Sequence, residues 1–101
     1  MTAPTVNAPV VVPVTELERI RRFDAGSFVV VDGLSTDVPL PVLARMVAMR
    51  RLVRAGGGDL VLAASETTAL TLRRAGLWML LATEPSIEAA AAALRQTTAA
   101  D

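Results

Sequence analysis

The 101-residue chain has no cysteine and no histidine. Without thiols or imidazoles it cannot form a disulfide scaffold, a zinc site, a Ser-His-Asp triad or a thiol nucleophile. Any catalysis would rest on carboxylates, arginines and hydroxyls, and neither a metal nor a cofactor is expected. Aromatics are almost absent: Phe23, Phe28 and Trp78 are the whole set. That argues against proteins that read nucleic acid by stacking bases on aromatic platforms. Neither sign of charge is in excess, because ten basic residues cancel ten acidic ones, so no global field steers the chain to nucleic acid or an anionic membrane. Every basic residue is arginine, a bias that reads as a GC-rich coding background. No apolar run approaches the ~18 residues of a membrane span, and the N-terminus lacks the basic-then-apolar order of a signal peptide. The expectation is a cytoplasmic protein with no direct membrane insertion.

What is present is aliphatic. Hydrophobic residues make up 52% of the chain and mean hydropathy is +0.48, which suits a small domain that must pack its core densely. Residues 1–9 (MTAPTVNAP) read as a flexible arm, 10–97 as one domain and 98–101 as a tail. The run 10–14 (VVVPV) predicts an edge strand, since Pro13 lacks a ladder donor. Thr15 with Glu18 forms a capping-box pattern ahead of Leu17, Ile20 and Phe23, predicting a short helix. Residues 28–31 (FVVV) and 59–63 (DLVLA) predict strands buried on both faces. Between them a helix is expected from Leu40 or Pro41 to about Arg54, ended by the glycines at 56–58. Ser65 caps a further helix that stops at Gly76. A last strand at 78–82 and a last helix from Thr83 to about Gln96, with Pro85 in its first turn, complete the order. Alternating strands and helices predict an α/β fold: a mostly parallel four-stranded sheet with four helices mainly on one face.

From Phe28 onward the order of motifs resembles the STAS domain, the fold of bacterial anti-sigma factor antagonists and of sulphate-transporter tails. The matching pieces are a strand ending in aspartate (FVVVD), a helix with paired basic residues, a glycine-rich junction and strand (AGGGDLVLA), and a helix ending RRAGLWMLL. The segment EPSIEAAAAAL closes the set, and the resemblance runs over about residues 10–94. It implies a non-catalytic protein-binding module in transcription regulation whose partner is an anti-sigma factor or kinase of the histidine-kinase-like ATPase type. Two departures stand out. The family opens with two paired strands, and only 10–14 is available here. Its antagonists carry a phosphorylated serine at the start of the second helix, whereas this chain has Pro39-Leu40-Pro41, with no hydroxyl. An accessory subunit of a larger assembly, such as a lipid-transport ATPase or a stress-sensing complex, or a homodimer, is the alternative.

The candidate partner face comprises Thr36, Asp37, Leu40, Leu43, Val47, Arg50 and Arg54. Val42, Met46, Met49 and Val53 form one core-facing stripe of the central helix; Leu43 and Val47 lie on a second stripe beside Arg50 and Arg54. With no acid between Val38 and Gly58, the four arginines 45, 50, 51 and 54 read as uncompensated. Apolar residues rimmed by arginine suit a protein interface; the competing reading is a wide core stripe with solvated arginines at its margin. Ser35 and Thr36 are candidates for a displaced phosphosite, against an ordinary turn in which Thr36 or Asp37 caps the helix. The glycines at 56–58 follow a helix, the reverse of a phosphate loop. Trp78 reads as a buried or rim anchor for the last helix. Asp32 and Asp37 lack an acid-base partner, and no enzyme is expected.

Overall fold

The computed structural model describes residues 9–19, 23 and 26–99. The arm expected at 1–9 lies outside them except for Pro9, as does Ile20.

Four strands, β1 (Val10–Pro13), β2 (Phe28–Gly33), β3 (Asp59–Ala64) and β4 (Ala82–Glu84), form one sheet in the order β1-β2-β3-β4, all parallel. Pro13 sits, as expected, on an edge strand. β2 and β3 are interior, and Val29, Val30, Val31, Leu60 and Leu62 are wholly buried. That is why these two segments read as unbroken apolar runs rather than alternating ones.

Among the described residues there are three α-helices rather than the expected four: α1 (Leu40–Ala55), α2 (Glu66–Ala75) and α3 (Ile87–Ala99). The segment expected as a first helix is a six-residue 3-10 turn, Val14–Arg19, which leaves β1 directly at Pro13. Residues 20–22 of the expected helix lie outside the described residues, and the 3-10 turn is short, as such turns usually are. It needs only to deliver Leu17 to the core, where that side chain is fully buried.

The strand order explains where the helices lie. In a sheet that adds each parallel strand on the same side of the last, right-handed crossovers must all run over one face. Leu17 of the 3-10 turn, Leu43, Met46, Met49 and Val53 of α1, and Leu72 of α2 share a core with Val12, Val29, Val31, Leu60 and Leu62. α3 is not a crossover and is free to cover the opposite face. Its Ala90 and Leu94, with Ile87 and Ala91 beside them, close over Val30, Val61 and Ala63.

The C-terminal elements begin later than expected. β4 occupies Ala82–Glu84 instead of 78–82, and α3 starts at Ile87 instead of near Thr83. Pro85 therefore precedes the helix, and Glu84 belongs to the strand. Ser86 supplies the start: its side chain accepts the Ala89 N–H at 3.0 Å and its carbonyl the Ala90 N–H. α3 continues to Ala99, past the domain end expected at 97.

Candidate functional site

Where the strands finish, the connection from β2 to α1 is pinned at both ends. The Asp32 carboxylate accepts the Leu34 N–H at 3.1 Å, an Asx turn. Val38 is buried, and its N–H donates to the Thr68 hydroxyl of α2 at 3.1 Å. Thr68 is itself wholly buried; its N–H donates to Ser65, the N-cap of α2, which donates in turn to the Thr68 hydroxyl. Ser35, Thr36 and Asp37 remain exposed. Neither Thr36 nor Asp37 caps α1: the N-cap is Pro39, which has no side-chain bond to give, and its carbonyl accepts the Val42 and Leu43 N–H groups. Pro41 removes one donor of the first turn, so the helix start is satisfied without a hydroxyl.

The expected partner face does not assemble. Leu40 and Arg54 stand about 21 Å apart along α1 at 1.5 Å per residue. Between them Leu43 is fully buried and Val47 is half-buried against the same core. The second stripe is covered: α2 packs beside α1, and Leu43 and Val47 share one core with Leu72 of α2 and with Leu77 after it. Periodicity within α1 cannot reveal a neighbouring helix. Thr36, Asp37 and Leu40 are thereby separated from Arg50 and Arg54, one group at each end of the helix.

At the other end of the sheet, where the strands begin, the glycines terminate α1. Gly58 N–H donates to Val53 O at 2.9 Å, and Gly57 holds φ +95°. A Cβ on Gly58 would run into the Ser27 backbone, and the next residue, Asp59, donates its N–H to Ser27 O at 3.0 Å. This close passage sets Asp59 under the last turns of α1. There Arg50 Nε donates to Asp59 Oδ1 at 2.9 Å, in a pair whose side chains are only 14% and 10% exposed. Arg50 is thus compensated, by an acid one residue beyond the acid-free window. Its Nη1 also donates to the Leu80 carbonyl at 3.2 Å, joining α1, β3 and the segment after α2.

That segment is a turn, not the expected strand. Gly76 ends α2 in the left-handed region (φ +76°), Leu77 N–H donates back to Leu72 O, and Leu80 N–H donates to Leu77 O. The first two are the marks of a Schellman cap, with Leu77 turned into the core. Leu81 is buried again. Between these anchors Trp78, Met79 and Leu80 are 58%, 73% and 52% exposed, so Trp78 is not buried. Met79 and Leu80 form one wall of a groove of about 350 Å³ whose other wall is Arg50, Arg51 and Arg54. Among the described residues, no carboxylate pairs with Arg51 or Arg54.

The sequence signal for this site was split. The arginines were legible on α1, but their apolar counterpart was concealed in WMLLA, whose composition matches a strand. A smaller depression of about 170 Å³ lies at the finishing end, between Ser65, Glu66 and Ala69 on one side and Thr83, Glu84 and Pro85 on the other. No helix among the described residues is long and apolar enough to cross a membrane. Comparisons with protein-family models, curated proteins and solved structures find no match to the chain.

Proposed function

We propose that this chain is a non-catalytic, STAS-like protein-interaction module that resembles anti-sigma factor antagonists but lacks their phosphorylatable serine. By that resemblance its partner is an anti-sigma factor or kinase, and the nucleotide belongs to the partner. The reading is carried by one observation: Met79 and Leu80, in a turn whose Trp78 is also exposed, stand in water across a groove from two arginines with no acidic partner among the described residues. Aromatic, methionine and arginine side chains are the types enriched in interface cores. The turn that holds them is fastened by backbone bonds at Leu77 and Leu80 and by Arg50, so the surface needs little ordering on binding. The unbroken strand order supports a binding role over an enzymatic one, because it contains no reversal point of the kind at which open α/β sheets form ligand crevices.

The test is affinity capture with the full chain and with Met79→Glu. A protein retained by the wild type and lost by the variant, at unchanged melting temperature, supports the reading. Identical capture by both refutes docking at this end. Incubation of the captured kinase and ATP with the chain is expected to add no phosphate at Pro39-Leu40-Pro41; a stoichiometric phosphate at Ser35 or Thr36 with loss of binding would mean the switch lies upstream. The alternative, an accessory subunit or a homodimer, is favoured by the open edge of β1, where Val10 and Val11 are exposed. Sedimentation velocity separates the two, since a homodimer keeps its mass without any partner.

A further inference from the structure

We infer that the groove between the last turns of α1 and the 77–80 turn receives a short acidic segment of a partner protein, one large apolar side chain flanked by carboxylates. The inference rests on the docking reading above and assigns the partner its chemistry.

The two walls ask for different things. Met79 and Leu80 offer exposed apolar surface, and methionine adapts to side chains of varied shape. Across from them Arg51 and Arg54, three residues apart on one helix, have neighbouring Cβ atoms about 5–6 Å apart. That spacing suits two carboxylates on one short segment, each taken by a planar guanidinium. Arg50 serves first as a structural wall, since three of its five N–H donors already go to Asp59 and the Leu80 carbonyl. It holds the groove open before anything enters. A volume of about 350 Å³ is at the small end of the range for ligand pockets and fits one large side chain.

Position at a helix C-terminus accounts for Arg54, in the last turn of α1, having no carboxylate among the described residues, because it faces the negative end of the macrodipole. It does not account for the apolar turn opposite the arginines. An anionic membrane fits less well: polybasic adsorption sites carry about four to eight cations, and this groove sets two inside a concavity. Nucleic acid would require a track of phosphate contacts, for which two arginines and a neutral net charge are insufficient.

Fluorescence anisotropy on the full chain tests the inference. The probes are labelled dodecapeptides with a central leucine or phenylalanine between glutamates, the same peptides with lysine for glutamate, and the same with serine for the apolar residue. Vesicles of phosphatidylserine and phosphatidylcholine form a separate arm. The glutamate-apolar peptides are expected to bind at least tenfold tighter than either control. The Arg51→Gln, Arg54→Gln double variant should lose at least tenfold with an unchanged melting temperature, and Met79→Ser a similar factor. The inference is overturned if no glutamate-apolar peptide binds by about 1 mM, if the lysine peptides bind as well, if the double variant binds like the wild type, or if vesicles alone are held through Arg51 and Arg54. Should the peptides fail while Met79→Glu still loses captured proteins, docking at this groove stands and only the acidic partner falls. Should capture also ignore Met79, both fall together.

Discussion

At the end where its strands finish, the sheet is closed by small, specific bonds: the Asx turn at Asp32, the buried Val38, and the Thr68 hydroxyl that takes the Val38 N–H. At the end where its strands begin, backbone bonds hold Gly58, Asp59, Leu77 and Leu80, yet Trp78, Met79, Leu80, Arg51 and Arg54 face solvent. The described segments at both ends are tied by hydrogen bonds, so the difference is not a want of such bonds. It lies in whether the side chains have been given something to do inside the fold. Parallel α/β sheets usually place their chemistry where strands finish, at a reversal of strand order. Here no reversal exists, and the unassigned groups gather at the opposite end.

Four substitutions test that contrast, beginning with the residue that divides the two ends. Leu43→Glu puts a carboxylate into a wholly buried position between α1, α2 and the sheet. It should cost more than about 4 kcal/mol and leave no cooperative thermal transition. A folded variant would mean that the stripe between the ends is open after all, and that one continuous surface runs along α1.

Asp59→Ala strikes the beginning end at its fastening. It strips Arg50 of its carboxylate and Leu60 N–H of an acceptor at 2.7 Å. A loss of about 2–4 kcal/mol is expected, somewhat under the range for a fully buried pair because both side chains keep slight exposure. Urea unfolding measures it, and Arg50→Met on the same background should recover part of the loss. Thr68→Val strikes the finishing end, leaving the buried Val38 N–H without its acceptor at about 1–3 kcal/mol. Partner capture should be unaffected, as the groove lies at the other end. Met79→Ser should be the quietest, within about 0.5 kcal/mol in stability. A large destabilisation by Met79→Ser would show that the turn is part of the core, and would erase the contrast.

The legible parts of the fold were those marked by punctuation. Prolines and glycines bounded α1, Ser65 and Gly76 bounded α2, and uninterrupted aliphatics identified β2 and β3 because both faces of those strands are covered. Residues 78–82 read as a strand because composition does not distinguish a buried strand from an exposed turn of the same letters. The cue was Leu77, whose return to Leu72 after a left-handed glycine commits the next residues to a turn. The site was half legible. Arg50 and Arg54 stand out on α1, but the covering of Leu43 and Val47 depends on α2, and the pairing of Arg50 depends on a chain reversal through three glycines.

The one-sided crossovers carry a consequence for the order of synthesis. Among the described elements α3 alone covers the face that bears Val30, Val61 and Ala63, and it is the last of them to leave the ribosome. From the completion of β3 until α3 emerges, the described elements can close only one side of the sheet, and the strip of Val30, Val61 and Ala63 lacks its cover from α3, open to chaperones or to like chains. The domain can begin to assemble during translation, but its second core waits for the final helix.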